Sequence, residues 1–181
     1  MKKMISGALI ASLFAASAFA FSADGAPSVK FVGYKLANKT AVEGTFKDLG
    51  FKSAESANFA DFLKSFEFNI DPKNIDTKLP DRDKRIGIIF DGNAIAAKIV
   101  SASGDDKAGE IEVEVGIKGN SKTYKTQYTV EGGKLKAKIA LDLVADLKLD
   151  ETFAKFAASA KPFHGGKSYP DVEIFLEAKV K

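Results

Sequence analysis

From Glu110 to Val115 the chain reads Glu, Ile, Glu, Val, Glu, Val, so an extended segment here carries carboxylates on one face and β-branched aliphatics on the other. The same period of two returns over residues 134–143, where Leu135, Ala137, Ile139, Leu141 and Leu143 oppose Lys134, Lys136, Lys138 and Asp142. Strand-like runs occupy residues 28–36, 40–47, 65–71, 95–103, 108–118, 122–130, 134–143 and 171–180, with KGNSK and EGGK supplying Gly and Asn for hairpin turns. Helical patterning is confined to residues 55–64, 80–90 and 150–160; Asp150 is the expected N-cap of the last, and Phe153 and Phe156 share one of its faces. Each helical segment stands between strands and no βαβ unit repeats. The pattern therefore predicts an all-β fold: eight antiparallel strands in a meander, with two or three short helices, closed into a barrel that leaves no exposed sheet edge. A barrel of that size either fills with its own side chains or holds one small ligand.

The polar faces decide which way the barrel is turned. An outer-membrane barrel needs an apolar exterior band with aromatic girdles and a polar lumen. Here the polar faces are rich in lysine and glutamate and the chain ends Ala178, Lys179, Val180, Lys181 without a terminal aromatic, so the polar face meets water and Ile111, Val113 and Val115 point inward.

Composition changes this picture in three ways. Lys2 and Lys3 followed by an apolar run and Ala18-Phe19-Ala20 read as a secretory signal peptide spanning residues 1–20, with cleavage expected after Ala20 and one domain over residues 21–181 that begins with a flexible stretch to about residue 27. The destination is the periplasm, and no second apolar segment in the mature chain is long enough to span a bilayer. The leader lysines carry two of the three net positive charges, which leaves a nearly neutral remainder with no electrostatic case for a nucleic-acid partner. The chain has no cysteine, hence no disulfide framework or thiolate metal site, and no tryptophan but fifteen phenylalanines, which make for a hydrocarbon-like interior.

Three segments, SVKFVGYKLANKTAVEGTF (28–46), NIDPKNIDTKLPDRDKRI (69–86) and GKSYPDVEIFLEAKV (166–180), resemble in order and spacing the beginning, middle and end of the YceI-like family of exported, lipocalin-like β-barrel proteins. The resemblance covers essentially the whole mature chain. It implies a tunnel lined by apolar side chains, in which the hydrocarbon tail of a polyisoprenoid or other long-chain amphiphile lies with its polar head near one opening. Members often carry a histidine near the end of the first strand, where this chain has Lys35. The family's IDT-x-RD segment is present as Ile75, Asp76, Thr77 and Arg82, Asp83, and the stretch after it is shortened to IGIIFDG.

Candidate residues follow. The inward pairs expected to line the tunnel are Phe31 with Gly33, Val42 with Phe46, Phe66 with Phe68, Val113 with Val115, and Ile139 with Leu141. Ordinary core packing needs the same alternation. Lys35 lies on the Phe31 side of its strand, placed to meet a phosphate, carboxylate or carbonyl head group; the plain alternative is a solvated lysine with its stem on apolar surface. Tyr34 is a second head-group candidate, and Arg82 a third, within a DRDKR run (Asp81–Arg85) whose charges are otherwise expected to pair with one another.

No catalytic, metal or cofactor site is expected. G-x-S-x-G and S-x-x-K are both absent, and the single histidine, His164, is read as a loop residue. GGKS at 165–168 fails as a phosphate loop because Lys161 stands where the first glycine is required. Asp105 and Asp106 read as a turn rather than a calcium site. Three functions remain, led by a non-enzymatic carrier or sequestering protein for a polyisoprenoid, isoprenoid quinone, fatty acid or fatty amide, with a homodimer possible. The others are a structural or stress-related envelope protein with a filled barrel, and a hydrolase built on paired carboxylates.

Overall fold

The structure is a computed structural model and describes residues 20–181; all but the last residue of the leader read at 1–20 lies outside that range. The strands are β1 (Ser28–Lys35), β2 (Thr40–Phe46), β3 (Glu67–Ile70), β4 (Ile75–Asp76), β5 (Ile95–Gly104), β6 (Ala108–Ile117), β7 (Asn120–Glu131), β8 (Lys134–Asp142) and β9 (Ser168–Lys179). The helices are α1 (Phe59–Lys64), α2 (Pro80–Gly87) and α3 (Asp150–His164), with 3-10 turns at Pro72–Asn74 and Ile88–Phe90. The strands form one antiparallel sheet in the order β3-β5-β6-β7-β8-β9-β1-β2-β4. The count is nine rather than eight because the two residues of β4 pair with Thr45 and Phe46, too short a run for alternation to register.

The curled sheet does not close through a ladder between its end strands, as expected for a full barrel. Irregular backbone after β2 spans the gap instead: Leu49 and Lys52 accept N–H bonds from Asn69 and Glu67 of β3, and Lys47 donates to Asn74. The expected flexible start is also corrected. Phe21 exchanges backbone hydrogen bonds with Ser56, Ser22 with Lys181, and Asp24 donates to Lys179, so the segment is held against the end of the last strand.

Register defines two ends. At one, Lys35 stands opposite Thr40 and Ser168, Asp142 opposite Asp171, and Ile95 between Ile70 and Ile117. At the other, Val29 meets Leu176 and Leu135 meets Ala178. This second end is plugged. Asn58 caps α1 by accepting the Asp61 N–H at 2.9 Å, which fixes the helix so that Phe59, Phe62 and Leu63 are buried with Phe66, Ile99, Ile111, Tyr128 and Leu135. Phe62 stacks edge-on against Phe66, with ring centroids 5.1 Å apart.

The first end is covered by α2, α3 and the turn that follows β8. Helix α3 begins at Asp150 with Leu149, not Asp150, as its N-cap, and it runs past the expected residue 160 to His164, so the histidine is a helix residue and not part of a loop. Gly165, at φ 55°, ends it in the left-handed conformation that glycine adopts without penalty. The turn is fixed by Asp146, whose carboxylate accepts from the Tyr124 hydroxyl at 3.0 Å, from the Asp142 N–H at 3.0 Å and from Lys122. Burial pushes the Asp146 carboxyl up, but these donors outweigh it and hold the group below the usual carboxylate range.

Candidate functional site

Between the plug and the covering helices lies a cavity of about 310 Å³, within the range of small-molecule sites. Its wall comes from the inward face of nearly every long strand. Phe31 and Gly33 of β1 face it with Val42 and Phe46 of β2 and Phe68 of β3; Val113 and Val115 of β6 and Ile139 and Leu141 of β8 complete the expected set. Phe66 does not reach it. That ring is fully buried in the plug, because the chain turns from α1 into β3 at this point and aims Phe66 at Phe51 and Phe62 instead of along the tunnel. Ile86, Ile89, Phe90, Phe153 and Phe156, from the covering elements, also line the cavity.

Two observations mark this as space and not as core. Ala97, Val113, Ala137 and Ile174 line it while remaining only half-buried, although their neighbours along the same inward faces, such as Ile99, Ile111 and Leu135, are buried. A Cβ placed on Gly33 meets nothing within 4 Å. Gly44 is the opposite case: a Cβ there would lie 2.2 Å from the Phe31 ring, so its absence lets Phe31 lie flat over β2 as part of the wall.

Apart from Lys138 in mid-β8, the polar and charged side chains of the lining gather at the first end: Tyr34, Lys35, Arg82, Arg85, His164 and Tyr169. Leu79 and Phe163 form exposed apolar lips beside them, at 55% and 56% exposure. This end is therefore the mouth. Opposite Tyr34 the β1–β9 register shifts, with β9 inserting two extra residues between its pairings to Gly33 and Lys35, a bulge of the kind found at barrel rims.

The head-group candidates differ in what they have free to offer. The Tyr34 hydroxyl donates to Glu173 at 3.0 Å, and that bond raises its pKa above the ordinary phenol value. Arg82 donates through Nε to the Thr77 hydroxyl at 2.8 Å and through a terminal nitrogen to the Thr77 carbonyl at 2.6 Å. Asp83 accepts from the Thr77 N–H at 2.9 Å and from its hydroxyl. The charges of the DRDKR run thus clasp buried Thr77 where they were expected to pair with one another, and the IDT-x-RD segment pins α2 to β4. Thr77→Val should cost about 1–3 kcal/mol by leaving Arg82 and Asp83 short of a partner; a denaturant melt measures it.

Lys35 and Arg85 lack such commitments, and sequence reasoning missed His164 as a mouth residue. Its Nδ1 lies 2.7 Å from the Ser168 hydroxyl, and its ring stands edge-on to Phe156 at 5.8 Å. Burial, then the nearby charges of Lys35 and Arg85, lower the His164 pKa below the usual imidazole value. The signal available in the sequence was Gly165-Gly166, which marks the true helix end one residue beyond it.

Acidic groups are kept outside. Glu110 pairs with Lys125 at 2.6 Å, Glu114 with Lys98 at 3.1 Å and Glu173 with Lys138 at 2.5 Å, and among the described residues no Asp or Glu lines the cavity. Asp105 accepts the N–H groups of Lys107 and Ala108, a turn role. Among the described residues no group of three or more His, Asp or Glu is placed to hold a metal, and no helix is long and apolar enough to cross a membrane.

No curated protein sequence matches this chain. Solved structures do. A polyisoprenoid binding domain from Saccharophagus degradans, implicated in plant cell wall breakdown, superposes with a TM-score of 0.63 at 14% identity, covering 91% of this chain and 98% of that one. BcnA of Burkholderia cenocepacia gives 0.56 at 15% identity, covering 86% and 96%, and the Campylobacter jejuni YCEI protein gives 0.57 at 14% identity, covering 78% and 86%. At identities this low the superpositions show a shared fold alone. A family model for the YceI-like domain matches residues 21–180. The chain belongs to the YceI-like family.

Proposed function

We propose that this protein is a non-enzymatic binding protein that holds the hydrocarbon tail of a long-chain amphiphile in the cavity and its polar head at the mouth. The observation that carries the reading is the unfilled, almost wholly apolar interior, bounded by a packed plug at one end and by the mouth of Lys35, Arg85, His164 and Tyr169 at the other. The name of the Saccharophagus neighbour points to the same ligand class. Polyisoprenoids, isoprenoid quinones, fatty acids and fatty amides all fit it. Burying about a dozen methylenes yields roughly 10 kcal/mol at about 0.8 each, and with an association cost at the low end, about 4 kcal/mol, the balance corresponds to binding in the tens of micromolar. Longer or better enclosed chains bind more tightly.

The filled-barrel reading accounts for the plugged end only, because at the other end Phe31, Phe46, Phe90, Phe153 and Phe156 line the cavity without filling it. Among the described residues no Asp or Glu lines the cavity, which favours binding over the paired-carboxylate hydrolase. The leader at residues 1–20 supports a periplasmic setting, in which residues 21–181 act as one domain that carries or sequesters its ligand, alone or as a homodimer. Native mass spectrometry and solvent extraction of freshly purified protein test the central claim. A co-purifying amphiphile, displaced by a fluorescent long-chain probe, is the expected result. Delipidated protein that binds no isoprenoid, fatty acid or fatty amide probe overturns it.

A further inference from the structure

The cavity carries a charge imbalance that tail binding does not require. Lys35, Arg82, Arg85, Lys138 and His164 line it, and among the described residues no aspartate or glutamate does. Two of these cations are committed elsewhere: Lys138 pairs with Glu173 on the outer face, and Arg82 holds Thr77. Among the described residues neither Lys35 nor Arg85 takes part in a salt bridge.

These two converge on His164 from different elements. Lys35 is the cross-strand partner of Ser168, whose hydroxyl contacts His164 Nδ1. Arg85, on α2, lies over the ring of Phe163 at 4.2 Å from the centroid, one residue before the histidine. Gathering like charge beside a low-dielectric cavity is unfavourable unless something of opposite sign completes it. Among the described residues the carboxylates nearest the mouth are engaged elsewhere, Asp83 with Thr77, Glu173 with Tyr34 and Lys138, and Asp171 with Lys39, so none pairs with Lys35 or Arg85 and the balancing charge is the ligand's.

We infer that Lys35, Arg85 and His164 form a head-group site selective for an anionic amphiphile, one whose buried tail ends in a carboxylate or a phosphate. The inference rests on the amphiphile reading and narrows it. Arg85 offers a planar fork that can take two oxygens of one anion, held in orientation by the Phe163 ring, and Lys35 adds a mobile point charge. His164 contributes a ring hydrogen bond from the cavity side. A neutral quinone or amide offers carbonyl acceptors but no negative charge, and leaves the two cations uncompensated.

The test is competition against a fluorescent long-chain probe on delipidated full-length mature protein at neutral pH and low salt, with dodecyl phosphate, dodecanoate, dodecanol and inorganic phosphate as competitors. Both anionic amphiphiles should bind at least about tenfold more tightly than dodecanol, the gain expected of charge-assisted hydrogen bonds. Inorganic phosphate should not displace the probe, which separates a lipid head-group site from a free-anion site. In Lys35→Gln/Arg85→Gln the preference should collapse, with anion affinity down at least about tenfold and dodecanol affinity changed less than about threefold. If the double variant does not fold, each single substitution should lower the preference. Equal binding of dodecanol and dodecyl phosphate by the wild type, or a preference that survives the substitutions, overturns the inference and leaves the amphiphile reading standing. Displacement by none of the dodecyl compounds overturns both.

Discussion

Gly33→Phe is expected to weaken amphiphile binding at least about a hundredfold while leaving the melting temperature of the delipidated protein unchanged or raised. Gly33 sits on the inward face of β1 opposite Val42 and Val172, lines the cavity, and has no atom within 4 Å of where a Cβ would stand. A benzyl group there enters space that is empty without ligand, so it meets no packed neighbour and gains apolar contact. With ligand present it occupies the path of the tail just inside the mouth. Excluding three or four methylenes, at about 0.8 kcal/mol each, removes about 2.7 kcal/mol, which is the factor of a hundred. Ala97→Phe, deeper in β5, should act in the same direction. Probe titration and a thermal melt on the same preparation decide it. Undiminished binding in a folded Gly33→Phe protein would place the tail outside this cavity.

The sequence made the wall of this cavity legible because a wall made of strands has period two. Ile111, Val113 and Val115, and Ile139 with Leu141, face inward as the alternation requires. Alternation fails where register shifts. In β5, Ile99 pairs with Val113 but Ser101 with Glu112, so one extra residue, Val100, is pushed out to 40% exposure and the inward set resumes at Ala102. A strict period of two through that strand would have turned Ser101 and Ser103 inward. Nor does alternation distinguish a residue lining space from one lining core. Phe66 and Phe68 are two apart and equally apolar, yet the first is locked into the plug by α1 and the second borders the cavity. The mouth was the least legible part. Lys35 comes from the first strand, Arg85 from α2 and His164 from the last turn of α3, and only the tertiary fold brings them together. The Arg82 clasp is a similar case: the basic run reads as an anion site, whereas a buried threonine five residues earlier takes the Arg82 donors.

Stability and binding should separate along the barrel axis, and Phe62→Ala is the substitution expected to show it with the largest stability change. The Phe62 side chain is 0% exposed, stands edge-on to Phe66 at 5.1 Å and also contacts Phe59 at 5.8 Å. Truncating it removes its own burial and leaves a void among rings that cannot collapse freely, because Asn58 caps the helix below and β5 packs against it. The expected loss is about 3–5 kcal/mol in a denaturant melt, including about 0.5–1.5 kcal/mol for each aromatic contact. None of these rings lines the cavity, so at temperatures where the variant is folded its probe affinity should stay within about threefold of wild type. Phe163→Ser provides the converse at the mouth: at 56% exposure it should change stability by no more than about 0.5 kcal/mol. Its ring is, however, what Arg85 lies over, at 4.2 Å, so affinity for an anionic amphiphile should fall in that variant. A cost below about 1 kcal/mol for Phe62→Ala would mean that the plug is not packed as a core. Loss of binding in the folded variant would mean that the tail reaches through the plug, and the two ends would then act as one site.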